Sequence, residues 1–179
     1  VAKQKPETQI NEWLQRECVE AFPEKANYLK YKTAVTQQFP KATFVSTAGT
    51  ANWKFSLNPN KSFKSFDKNS DIDTIIVSEV DFVETWSEIR KIERKYYFSL
   101  ELEQRSELQK TAENIYCGFV TPVWIPLANP LITSFKRKLN ILETKDVDFK
   151  KVKALFFRNY DEVVAYYKRG FLAAQKKVG

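Results

Sequence analysis

The chain has 179 residues, 43% hydrophobic and 15% aromatic, which is ample material for one domain with a buried core, and its formal net charge is +7. It contains no histidine, which excludes histidine-bound zinc, Ser-His-Asp triads and histidine general bases. A bound metal must therefore rest on oxygen ligands, as Mg²⁺ or Mn²⁺ does.

The first nine residues, VAKQKPETQ, lack the apolar run of a signal peptide, and no segment approaches the roughly 20 apolar residues of a membrane span. Cys18 and Cys117 sit among apolar residues far apart in the sequence and read as reduced core thiols, so the expected setting is cytoplasmic, with no membrane partner. The basic balance, with a pI near 9.3, suits a polyanionic partner such as RNA, DNA or a triphosphate.

Thr8 as a cap, followed by Ile10, Trp13, Leu14, Cys18 and Ala21 on one face, predicts a helix over 8–22. A second helix follows Pro23 and runs to about Gln38, closed by Pro40. A short strand over 42–46 then ends in the small-residue turn Ser46-Thr47-Ala48-Gly49-Thr50. Trp53, Phe55 and Leu57 alternate with Asn52, Lys54 and Ser56, which predicts a strand over 51–57, a helical start being the alternative.

Residues 58–70 form a loop rich in Asn, Lys and Ser, and the β-branched run over 71–77 is the clearest central strand. Helices are predicted over 82–97 and 100–114, and a strand over 116–125 that Pro122 makes an edge or a bulge. Pro130 opens a helix to about Leu142, a strand covers 151–157, and a last helix covers 160–177. Strands alternating with helices give a mixed α/β or α+β class. Residues 1–41 are expected to pack as N-terminal helices on a core spanning 42–179, the whole forming one globular unit.

The chemistry concentrates in Ser70-Asp71-Ile72-Asp73-Thr74-Ile75-Ile76-Val77. Residues two apart on a strand share a face, so Asp71 and Asp73 project their carboxylates side by side. Two like charges this close repel unless a cation lies between them, and a divalent metal turns that repulsion into a binding site. A capped turn before a buried strand is the plainer alternative for such a pair. Upstream, Gly49 permits close backbone approach and the Thr50 hydroxyl can donate to a phosphate oxygen.

These features resemble the polymerase-β-like nucleotidyltransferase superfamily, in which a strand and a Gly-Ser or Gly-Gly turn precede a strand reading Asp-hydrophobic-Asp-hydrophobic. Gly49-Thr50 stands for the first element and Asp71-Ile72-Asp73-Thr74 for the second. SDIDTIIV is very like the corresponding strand of the minimal members, and the likeness covers roughly residues 42–78. Thr50 departs from the usual Ser or Gly, and the segment between Gly49 and Asp71 is longer than is typical. That insertion carries Lys54, Lys61, Lys64 and Lys68, either as a solvated loop or as a clamp on phosphates.

The resemblance implies a nucleotidyltransferase fold, a small mixed sheet flanked by helices, with Mg²⁺ or Mn²⁺ as cofactor and an NTP as substrate. It implies Asp71 and Asp73 as metal ligands and catalytic residues, with Gly49, Thr50, Ser70 and Lys68 at the nucleotide. A third carboxylate is expected from a hydrophobic-Asp-hydrophobic triplet, and Val147-Asp148-Phe149 supplies Asp148 as the candidate. The acceptor would be an RNA, a protein or a nucleotide. Small bacterial and archaeal members resemble toxin–antitoxin or phage-defence components, which carries that setting over as an implication. The rival readings are a catalytically silent module of this fold that binds nucleic acid or protein, and a metal-dependent nuclease. The aromatic final helix could serve a protein partner or a second copy of the chain.

Overall fold

The computed structural model describes residues 5–61, 63–125 and 129–178. They form a small α+β domain around a four-stranded mixed sheet. In chain order the elements are α1 (Pro6–Leu14), α2 (Lys25–Gln38), β1 (Phe44–Ala48), α3 (Thr50–Trp53), β2 (Ile72–Val77), α4 (Glu79–Tyr96), α5 (Leu102–Tyr116), β3 (Phe119–Val120), α6 (Pro130–Leu142), β4 (Val152–Phe157) and α7 (Tyr160–Val178). Short 3₁₀ turns lie between several of them.

The strand order is β1-β2-β4-β3. β1 runs antiparallel to β2, β2 parallel to β4, and β3 antiparallel to β4. β2 is therefore flanked on both sides, and its β-branched run is buried at every position but Asp73.

The pleat of β2 sorts its side chains into two cores. Ile72 and Ile76 face a cluster with Tyr28, Tyr31 and Val35 of α2, Phe82 and Ile89 of α4, and Ile132 and Phe135 of α6. Ile75 and Val77 face a second cluster with Ile10 and Leu14 of α1 and Val163 and Phe171 of α7. β4 splits the same way, with Ala154 and Phe156 on the first side and Phe157 on the second. Both N-terminal helices are thus part of the cores. Local caps set the helix starts. The Ser78 hydroxyl accepts from the Asp81 amide at 3.2 Å to begin α4, and Asn129 Oδ1 accepts from the Ile132 amide at 3.0 Å behind Pro130 of α6.

Three expectations need correction. The helix expected over 8–22 stops at Leu14, and Val19 and Phe22 instead form an isolated bridge. Cys18 is consequently exposed and lies off any apolar face. Residues 51–57 do not form a strand. The amides of Asn52 and Trp53 both donate to the Gly49 carbonyl at 3.1 Å, closing one helical turn. Lys54, at φ 79°, ends that turn. Only Phe55 pairs in an extended manner, with Ser65. The strand expected over 116–125 shrinks to two residues because Pro122, which has no amide to donate, opens a 3₁₀ turn.

Candidate functional site

The second face of β2 changes character along its length. Ile75 and Val77 lie under α7, whereas Asp73 and Asp71 extend past the apolar cover. The cleft that opens there has a volume of about 670 Å³, within the range of small-molecule sites. Its floor holds Asp71, Asp73 and Lys153, and one wall is Gly49, Thr50 and Trp53 from the turn after β1. Lys61, Lys64, Asn69 and Ser70 come from the long loop, and Cys117, Tyr166, Tyr167 and Arg169 close the far side.

Gly49 is dictated by this geometry. Its φ of 61° and ψ of −147° fall in a region essentially reserved for glycine. A Cβ placed on it would lie 2.9 Å from Asp73 Oδ2. The backbone therefore presses directly against a carboxylate, an approach that any other residue would block. Behind the turn, the buried Asn52 donates from Nδ2 to the Thr47 carbonyl at 2.9 Å and to the Trp13 carbonyl at 3.0 Å. The Tyr28 hydroxyl accepts from the Thr47 amide at 3.0 Å.

Asp73 sits where desolvation acts against its charge. Burial pushes its carboxyl above the usual aspartate range, and the negative charge of Asp71 adds to that push. Lys153 and, more weakly, Lys61 pull the other way. Lys153 is its register partner on the adjacent parallel strand, and its ammonium forms an ion pair with Asp71 Oδ2. Burial also raises the hydroxyls of Tyr166 and Tyr167, and both feel the charge of Asp73.

The remaining groups are held in place. Ser70 donates to Asp67 Oδ1 and accepts from the Asp67 amide, both at 2.9 Å. Lys150 donates to the carbonyls of Asp67 and Lys68 at 2.9 Å, pinning that turn below the cleft. Arg169 donates from Nη2 to the Cys117 carbonyl at 3.0 Å and lies 5.6 Å from the centre of the Tyr166 ring. Tyr167 packs edge-on against Trp53, which stacks on Trp13 at 5.1 Å.

The structure brings Gly49, Thr50, Ser70, Asp71 and Asp73 together, as the sequence suggested. Lys68 is exposed in the turn outside the cleft lining, while its neighbours Lys61 and Lys64 line it. Asp148 does not join the pair. It is exposed, in a left-handed turn at φ 51° that ends the 3₁₀ turn Lys145–Val147, four residues before β4, and it is not part of the cleft. The two carboxylates of the pair stand without a third, since the described residues contain no cluster of three or more acidic or thiol groups able to hold a metal.

No sequence pattern singles out Lys153 or Arg169, and Cys117 reads there as a core thiol. Cys117 is half-buried at the cleft because it caps α5 beside Arg169. The alternation Lys151-Val152-Lys153-Ala154 was visible in the sequence; the parallel register that sets Lys153 beside Asp73 was not. Arg158, by contrast, pairs with Glu79, and Lys168 pairs with Glu7. Among the described residues no helix is long and apolar enough to cross a membrane. No family model matches this chain, and neither does any curated protein or solved structure.

Proposed function

We propose that the chain is a Mg²⁺-dependent nucleotidyltransferase that moves an NMP group from an NTP to a hydroxyl of an RNA, protein or nucleotide acceptor, in a toxin–antitoxin or phage-defence setting. One observation carries this reading: the Asp71–Asp73 pair lies on the floor of a cation-lined cleft, pressed against the glycine turn after β1. The donor set fits Mg²⁺, which is typically held by one or two carboxylates together with substrate phosphates. Asp71 and Asp73 would hold the ion, which supplies charge neutralisation at the triphosphate and at the α-phosphorus.

The protein's own groups do the positioning. Gly49 lets the backbone approach the phosphates, and the Thr50 hydroxyl donates to a phosphate oxygen. Lys61, Lys64 and Arg169 offset phosphate charge, and Tyr166 offers a ring edge or face to the base. Phosphoryl chemistry relies mainly on such positioning and electrostatics, so a sparse site is compatible with activity.

A second reading has its own support. Lys153, rather than a carboxylate, stands opposite Asp73, and Asp148 lies outside the cleft. That arrangement also suits a catalytically silent module that binds nucleotide or nucleic acid.

The test is incubation with each α-labelled NTP, Mg²⁺ or Mn²⁺ and total RNA or lysate, beside the double variant Asp71→Asn/Asp73→Asn. Label transfer that the variant loses supports the enzyme. Nucleic-acid binding without transfer, unchanged in the variant, supports the silent module and sinks the enzyme. Shortened RNA without labelling identifies a nuclease.

A further inference from the structure

Lys153 is placed where an ordinary surface ion pair has little reason to be. Its strand runs parallel to β2 in the register Ile72↔Val152 and Asp73↔Lys153. The pleat puts Lys153 on the same face as Asp71, Asp73 and Ile75, so its side chain lines the cleft beside the carboxylates. Its ammonium pairs with Asp71 Oδ2 while about half of its side chain stays exposed (52%, against 34% for Asp71). An exposed pair of this kind contributes little to stability, so stability alone does not account for its place in the cleft.

We infer that Lys153 is a tethered cation that occupies the carboxylate pair in the free protein and yields it only to a divalent metal arriving with a nucleoside triphosphate. This rests on the nucleotide reading of the cleft.

The chemistry favours that order of events. Mg²⁺ gives up its water reluctantly, and a pair of carboxylates already matched by an ammonium offers it little. No third acidic or thiol group among the described residues tips the balance toward free metal. A triphosphate changes both sides of the exchange. Its oxygens complete the metal's coordination, and its negative charge gives the displaced ammonium a new partner. The lysine stem is flexible enough to make the move, since its compact charge sits on four methylenes.

The test is Mn²⁺ binding to the full chain, followed by electron paramagnetic resonance, with and without the non-hydrolysable α,β-methylene ATP. Wild type is compared with Lys153→Met, Lys153→Arg and Asp71→Asn/Asp73→Asn, each checked for native circular dichroism. Lys153 is exposed, so its variants are expected to fold. With Mn²⁺ alone, Lys153→Met should bind about tenfold more tightly than wild type, since it loses both the competing pair and the repulsion of the metal. Lys153→Arg should stay close to wild type, because it keeps the charge. With the nucleotide analogue present the advantage of Lys153→Met should shrink or reverse.

Equal Mn²⁺ affinity of wild type and Lys153→Met without nucleotide overturns the inference. If Asp71→Asn/Asp73→Asn still loses Mn²⁺ in that experiment, the metal site itself stands. Should the double carboxylate variant bind Mn²⁺ with the analogue as well as wild type does, the metal reading fails and the inference fails with it.

Discussion

At the scale of single residues, Asp73 and Gly49 show a site placed against the interests of the fold. Burial raises the Asp73 carboxyl above the aspartate value of 3.8, and Lys153 offsets this only in part. A carboxyl whose pKa rises on folding binds its proton more tightly in the native state. Its stabilising contribution is therefore complete below the ordinary aspartate range and is lost as pH climbs through the raised native value. Asp73→Asn removes that penalty. Its Tm should exceed wild type at pH 7 by about 2–4 °C, the shift that roughly 1 kcal/mol produces in a chain of this length. The difference should close as the solution is acidified below the aspartate range. Thermal melts at several pH values check this, and a variant less stable than wild type at pH 7 would refute it. Gly49→Ala should act in the opposite sense. It forces a side chain into a glycine-only backbone region and sets its Cβ 2.9 Å from Asp73 Oδ2. A loss of about 1–3 kcal/mol in denaturant unfolding is expected, together with loss of nucleotide-analogue binding if the turn shifts.

Among the elements, the turn between β1 and α3 has its own backbone hydrogen bonds and a side-chain brace from Asn52, which ties it to α1 and β1 through the Trp13 and Thr47 carbonyls. Asn52→Ala removes the shorter bond to each carbonyl, leaving longer ones from Arg16 at 3.4 Å and Ser46 at 3.3 Å, and should cost about 1–3 kcal/mol. Each kcal/mol corresponds to a fall in Tm of about 2–4 °C at this length, and calorimetry reads it directly. Asn52 also shows where the sequence could be read and where it could not. Its alternation with Trp53, Phe55 and Leu57 resembles a strand, but six residues of period two cannot outweigh a positive-φ glycine that turns the chain into a helical turn. β2 was legible because its β-branched run is long and flanked on both sides. α2, α4, α5, α6 and α7 were legible because an apolar stripe runs along each, reinforced in α6 by Pro130 at its start. α1 ended early because the apolar positions after Leu14 belong to a bridge, and periodicity does not distinguish the two. The carboxylate pair needed only the two-residue strand repeat. Lys153, Tyr166 and Arg169 needed the parallel register and the crossing of α7 over the sheet, which no local pattern encodes.

Across the whole molecule, the excess of 29 Lys and Arg over 22 Asp and Glu matters through its distribution. The cleft lining carries four cations, Lys61, Lys64, Lys153 and Arg169, against two carboxylates, Asp71 and Asp73. Lys153 pairs with Asp71, and the other three come from the long loop and from α7. Lys64 pairs with Asp67 at 3.3 Å, and Arg169 is held by the Cys117 carbonyl and the Tyr166 ring. Arg169 is thus positioned before any ligand arrives, whereas Lys61 and Lys64 lie exposed on a loop, with Lys64 held only by a surface ion pair. A polyanion entering this cleft should feel a field that salt weakens, because the rim is open to water and the Debye length is about 8 Å at physiological ionic strength. The expected outcome is specific. Arg169→Ala should weaken binding of α,β-methylene ATP about tenfold, as removal of a charge-assisted contact does. Lys61→Ala/Lys64→Ala should weaken it mainly at low salt, and the gap to wild type should narrow as salt rises. Calorimetric titrations of the three proteins at two salt concentrations separate these contributions. If Arg169→Ala binds as wild type does at both, its contacts to Cys117 and Tyr166 serve packing between α5 and α7, and the phosphates lie nearer the loop lysines.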